Sequence, residues 1–202
     1  MPTLVGVPFT QRSEATRTSI LTAARTLLAE RGFEATTIRA VAARAGIDPS
    51  MVMRYYGSKD GLFRASVELD LRLDLVPREP LDGVGAALAR HFLSRWEGDL
   101  ADEAITLLLR SAGTTPMAAE QLRTIFDEQV AGFVGGVIPG DRAEAVHRAG
   151  LVSTQLLGLA LTRYVLELPP VVAMDAGTVV ASVGPVLQHH LTGAVAEPTP
   201  VR

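Results

Sequence analysis

The stretch from Thr36 to Lys59, TTIRAVAARAGIDPSMVMRYYGSK, constrains this chain more than any other. It spells two short helices joined by a tight turn. Thr36 is a good N-cap, because its hydroxyl can accept from the orphan amides of a first helical turn. Ile38, Val41, Ala42 and Ala45 then recur at i, i+3, i+4 and i+7, the stripe of an amphipathic helix. Gly46 stands where a left-handed residue ends that helix at little steric cost. Asp48 can cap the next helix, and Pro49 suits its first position. Val52 and Tyr56 lie four apart and bury together, which leaves Ser50, Met53 and Arg54 outside. Gly57 closes the segment, and Ser58 offers a third N-cap.

Two helices this short need a third behind them. The sequence predicts it from about Glu14 to Arg31, with Ile20, Ala24, Leu27 and Leu28 inside and Gly32 as its stop. Two short helices and a tight turn have the shape of a helix-turn-helix, whose second helix enters the DNA major groove. An ordinary helical hairpin has the same periodicity. The outer face separates the two: Arg39, Arg44, Arg54 and Lys59 are cationic, and Ser50 and Tyr55 are hydrogen-bond donors.

The run from Ile20 to Phe63 resembles the N-terminal domain of the TetR family of bacterial transcriptional repressors. The resemblance rests on RGF-x-x-TT-x-R-x-V-A-x-x-A-G and on YY-G-S-K, at the spacing that family uses. The remainder resembles the family only in being helical and of the usual length. The resemblance implies a palindromic double-stranded operator, a homodimer and a small-molecule effector. It places DNA-backbone contacts at Thr37, Tyr55 and Lys59. Thr36 and Arg39 belong to the same candidate face, and Pro49, Ser50 and Arg54 are expected to face bases or the groove edge. Met53 stands where the family often carries a tyrosine that touches the backbone. Methionine cannot donate that hydrogen bond, and a thymine methyl is the contact left to it.

Composition narrows the alternatives. Hydrophobic residues make up 48% of the 202, which argues against overall disorder. The absence of cysteine excludes disulfides, thiolate catalysis and cysteine-ligated zinc. The net charge of −3 hides an asymmetry: residues 1–60 carry +3 and the rest −6. A basic head on an acidic body suits a DNA reader with a separate regulatory domain. The N-terminus does not read as a signal peptide. The most apolar long segment, Leu151 to Leu168, carries Gln155, Arg163 and Glu167, which argues for a buried helix and against a membrane span. A cytoplasmic protein is expected. The four histidines have no metal-ligand spacing, no phosphate loop follows a strand, and no cofactor is expected. A helical interaction module without DNA binding and a small all-α enzyme remain the alternatives to a non-enzymatic regulator.

The predicted architecture is all-α: a three-helix helix-turn-helix head and a helical bundle for ligand binding and dimerisation. A flexible arm covers 1–12. The head covers 13–76, including a linking helix over 58–76. The effector-binding and dimerisation domain covers 77–193, set off by Pro77 to Pro80, and a flexible tail covers 194–202. Within the body, helices are expected over about 81–97, 100–111, 116–137, 141–168 and 175–191. His91, Trp96, Arg110, Gln155 and Tyr164 are polar or aromatic residues set among apolar ones, and are the candidate effector contacts. Leu151, Leu156, Leu159, Val179, Val183 and Leu187 are the candidate dimer interface. Gly158 and Gly184 would permit close helix approach.

Overall fold

The computed structural model describes residues 11–98, 103–138 and 140–195. The expected arm and tail fall almost wholly outside them. The head begins with α1 (Gln11–Ala35), α2 (Ile38–Ala45), α3 (Pro49–Tyr56) and α4 (Lys59–Ser66). Their ends are set by local chemistry. Gly32 takes φ 73°, ψ 177° and kinks α1. Thr37 caps α2 by accepting from Ala40 N, and Gly46 closes it in the left-handed region at φ 68°. Asp48 caps α3 through Ser50 N, and Ser58 caps α4 through Gly61 N. Thr36 is not the cap expected of it. It is buried, and its hydroxyl is committed to the carbonyls of Leu27 and Gly32, at 3.2 and 2.8 Å, where it braces the kink.

The body comprises α5 (Val84–Glu97), α6 (Glu103–Ser111), α7 (Pro116–Ile125), α8 (Ala131–Val137), α9 (Arg142–Ala160), the short α10 (Pro169–Val172) and α11 (Ala176–Thr192). The helix expected over 116–137 is interrupted by a π turn at Phe126–Val130. The one expected over 141–168 ends in a second π turn, Leu161–Val165. Pro169 and Pro170 open α10, since proline suits a first turn.

The hydrophobic interior forms two cores, and their seam does not follow the proline boundary. One core joins α1–α4 to α6 and α7, with Ile20, Leu27, Val41, Phe63, Leu108 and Ile125 buried together. The other joins α5, α8, α9 and α11 through residues such as Val84, Leu88, Val134, Val152, Val183 and Leu187. Gly85 and Gly184 let α5 and α11 meet backbone to backbone: a Cβ on Gly184 would lie 3.1 Å from Ala86 Cα.

The linking helix is shorter than the sequence suggested. It stops at Ser66, and the chain then runs irregularly to a 3₁₀ turn at Leu73–Leu75. The reason is visible in VELDLRLD. Val67, Leu69, Leu71 and Leu73 alternate with Glu68, Asp70, Arg72 and Asp74, a period of two that a helix cannot place on one side. The structure buries or half-buries the apolar set and exposes the charged one. This segment, 67–73, forms a strap between head and body.

Candidate DNA-binding face and ligand cavity

In α3, Val52 is fully buried against the head core, which fixes the helix and sets its opposite side outward. Pro49, Ser50, Met53 and Arg54 are all exposed, with Ser50 and Arg54 on the side away from Val52. Thr37 and Arg39 are exposed at the start of α2. The Tyr55 hydroxyl lies 3.4 Å from Ser13 Oγ, and its ring sits under the Arg17 guanidinium at 5.7 Å. Lys59 donates from Nζ to Glu34 O at 3.0 Å and lies 4.3 Å from the Phe33 ring centroid. An ammonium has three donors, so this contact leaves others for an anion. Arg44 is turned to Glu30 at 3.3 Å, which offsets its charge. Thr36 points into the core and is withdrawn from the DNA-facing set.

A cavity of about 350 Å³ opens between the two cores. Ile105, Leu108 and Leu122 line it from the head-side core, and Leu88, Phe92, Phe126, Val130 and Leu156 from the other. The strap supplies a further wall, Leu69, Leu71 and Leu73. His91, Arg95, Arg123 and Ser153 are the polar lining residues, and Arg123 and Leu157 are its exposed members. A concave, mostly apolar space with a few polar groups is the usual form of a small-molecule site.

The candidate effector residues divide. His91 and Trp96 line the cavity. Arg110 does not: it is exposed on α6, because three preceding leucines do not determine which way the fourth residue faces. Gln155 also lies outside the lining. Tyr164 is one layer behind it, stacked on Trp96 with centroids 4.3 Å apart. Sequence reasoning missed Gln129, Arg95 and the strap leucines. The alternation of VELDLRLD was the available signal for the last of these.

The candidate dimer residues divide as well. Leu159, Val179, Val183 and Leu187 are buried in the protomer's own core, so they are not available to a partner. Leu156 lines the cavity, and Leu151 is half-buried. Gly184 serves the α5–α11 contact, whereas Gly158 faces open space. Instead, Leu157 and Leu161 from α9 and the turn after it, and Ala181, Pro185 and Val186 on α11, are exposed. From Leu151 to Thr162 and from Ala176 to Thr192 there is no Asp, Glu, Lys or Arg.

Among the described residues, no helix is long and apolar enough to cross a membrane.

Comparisons with known proteins give these sites a context. Residues 20–66 match the family described as bacterial regulatory proteins, tetR family, and residues 82–191 match the tetracyclin repressor-like C-terminal domain. The HTH-type transcriptional repressor Rv3405c of Mycobacterium tuberculosis is 41% identical over 81 residues, 39% of this chain. That match spans 43% of the relative, so the chain spans less than half the length of the curated relatives it matches first. Among solved structures, a TetR-family regulator from Streptomyces coelicolor is 33% identical, with a TM-score of 0.59, covering 93% of this chain and 98% of that one. NalD of Pseudomonas aeruginosa, the secondary repressor of the MexAB-OprM multidrug efflux pump, shares the fold at 20% identity. Its TM-score is 0.68, over 91% of this chain and 97% of NalD. SmeT, solved with triclosan, shares it at 21% identity and a TM-score of 0.66, over 93% and 100%. With a helix-turn-helix head and a C-terminal helical domain that both match, the chain belongs to the TetR family of bacterial transcriptional regulators.

Proposed function

We propose that this chain is a cytoplasmic, non-enzymatic repressor that binds a palindromic operator as a homodimer and releases it when a small apolar molecule occupies the cavity. The observation that carries the DNA-binding half is α3, whose buried Val52 fixes a helix with Pro49, Ser50, Met53 and Arg54 exposed together. An arginine there can bond guanine O6 and N7 at once, and a serine can reach a base edge or a phosphate.

The uncharged outer sides of the second half of α9, from Leu151, and of α11 support a two-fold interface. These helices pack on one another, and each leaves small and apolar side chains exposed, among them Leu157, Leu161 and Val186. A second copy is the occupant that satisfies both: an isologous contact pairs this face with itself and sets two α3 helices to read two half-sites.

The cavity supports the effector half of the reading. Its walls are mostly aliphatic side chains and aromatic rings, with Arg95 and Arg123 among them, and no carboxylate lines it among the described residues. That lining suits a neutral or anionic apolar molecule and disfavours a free cation. The triclosan in SmeT is a small-molecule precedent in a protein of the same fold. The test is a gel shift of fragmented host genomic DNA with purified protein. The expected result is a discrete complex that survives excess bulk DNA and is recovered with two symmetric half-sites. Binding that bulk DNA competes away completely overturns the reading.

A further inference from the structure

The strap has an unusual way of satisfying its backbone. An extended segment carries donors and acceptors that need partners once they leave water. No neighbouring strand provides them among the described residues, and side chains of the body do so instead. Gln129 serves two at once: its Oε1 accepts from Leu71 N at 2.8 Å, and its Nε2 donates to Leu69 O at 2.9 Å. One side-chain amide thus stands in for the peptide group of a paired strand. His91 Nε2 donates to Leu71 O at 2.7 Å, and Arg95 Nη2 donates to Asp70 O at 3.0 Å.

The position of this bridge is informative. Gln129 belongs to the π turn Phe126–Val130, and the two ends of that turn, Phe126 and Val130, line the cavity while Gln129 does not. On the facing wall, Leu69 and Leu71 line the cavity through their side chains, while their main chain holds Gln129. The bridge therefore closes the corner where two cavity walls meet. On the head side, the strap leaves α4 at Ser66, whose carbonyl accepts from Arg25 Nε of α1 at 2.9 Å. A displaced strap would thus pull on both α4 and α1.

We propose that the Gln129 amide bridge is the element that couples cavity occupancy to the DNA-binding head. This rests on the reading of the cavity as an effector site. An occupant wedged between Leu69 and Leu71 on one wall and Phe126 and Val130 on the other spreads the corner and parts the bridge. The strap is then free to move, and the head loses its fixed position on the body. Gln129 acts as a positioning residue: it touches neither DNA nor effector, and it sets how strongly one affects the other. Coupling of this kind is reciprocal, so it is measurable from either ligand.

The test uses the full chain, N-phenyl-1-naphthylamine as a neutral apolar fluorescent probe, and a duplex selected for wild-type binding. Probe Kd is measured with and without saturating duplex. For wild type, the duplex raises it at least about fivefold, the lower end of ordinary allosteric coupling. Gln129→Leu removes both hydrogen bonds at similar volume. It keeps the probe Kd in the absence of DNA within about threefold of wild type and reduces the duplex effect to less than about twofold, well below that end of the range. Gln129→Glu keeps the acceptor for Leu71 N and loses the donor to Leu69 O, so its coupling falls between the two. If Gln129→Leu does not melt cooperatively, Gln129→Glu decides alone. Wild-type coupling in either folded variant overturns the proposal while leaving the effector site standing. A probe that does not bind wild type, or binds without any duplex effect, overturns the effector reading and the proposal together.

Discussion

The indole of Trp96 and the phenol of Tyr164 lie parallel, 4.3 Å between centroids and 3° between planes, and the Tyr164 hydroxyl donates to Glu97 Oε1 at 2.6 Å. The cavity's aromatic wall is thereby tied to the end of α5. Arg163 completes the tie: its Nε reaches the same carboxylate oxygen at 2.7 Å, and its Nη1 holds the carbonyls of Val171 and Met174 after the second π turn. Burial pushes Glu97 up, but the hydrogen bonds from Arg163 and Tyr164, with the guanidinium charge, outweigh it and hold the carboxyl below its ordinary 4.5. Burial and the neighbouring carboxylate push the Tyr164 hydroxyl well above its usual range, so it remains a donor at any physiological pH.

This cluster predicts an acid dependence. A carboxyl whose folded pKa is depressed stabilises the fold above its unfolded value and loses that contribution as pH falls through the folded one. Thermal melts from pH 6 downward should therefore show a wild-type decline beginning near the ordinary 4.5. Glu97→Gln should start lower in Tm at pH 6 and decline less steeply. Parallel curves for the two proteins would contradict the assignment. Tyr164→Phe keeps the stack and loses one hydrogen bond, for a cost of about 1 kcal/mol at neutral pH.

On α11, two valines three residues apart should behave oppositely. Val183 is buried in the core that α11 shares with α5, α8 and α9, and Val186 is exposed. Val183→Glu places an unpaired carboxylate in the core and should cost about 3 kcal/mol or more, or prevent folding. Val186→Glu should leave the protomer folded and shift it from dimer to monomer. Light scattering with parallel thermal melts distinguishes them. A dimer that tolerates Val186→Glu places the interface elsewhere.

Lys59 should act on DNA through charge alone. Its ammonium already touches Glu34 O at the end of α1, an exposed contact, so Lys59→Ala should alter folding little. It should weaken binding to all sequences about equally and reduce the slope of log K against log salt by about one. An unchanged slope would remove Lys59 from the phosphate contacts.

The head was legible in the sequence because its signals are local. Gly46, Asp48, Pro49, Gly57 and Ser58 each act within one turn of their own position, and each does what its chemistry indicates. Thr36 and Thr37 were harder, since adjacent threonines can both cap, and only the kink at Gly32 decides which one turns inward. On α11, Val179, Val183 and Val186 are the same residue type, and which of them is covered depends on where α5 lies. The strap was legible in principle. Its leucines suggested a helix by their number, while their alternation indicated an extended segment, and the alternation prevailed because Gln129, His91 and Arg95 satisfy its backbone. Gln129 itself carries no local signal, since its two partners lie about sixty residues away in the chain.

The central claim is that α3 reads DNA sequence, and Arg54 tests it most directly. The measurement is binding-site selection from a random duplex pool with wild type and with Arg54→Ala, at one fixed salt concentration. Wild type should select a palindromic motif. Arg54→Ala should select the same motif with preference lost at one symmetric position per half-site, at a cost of about 1–3 kcal/mol per contact. An identical motif from both proteins, or no motif from the wild type, would contradict it.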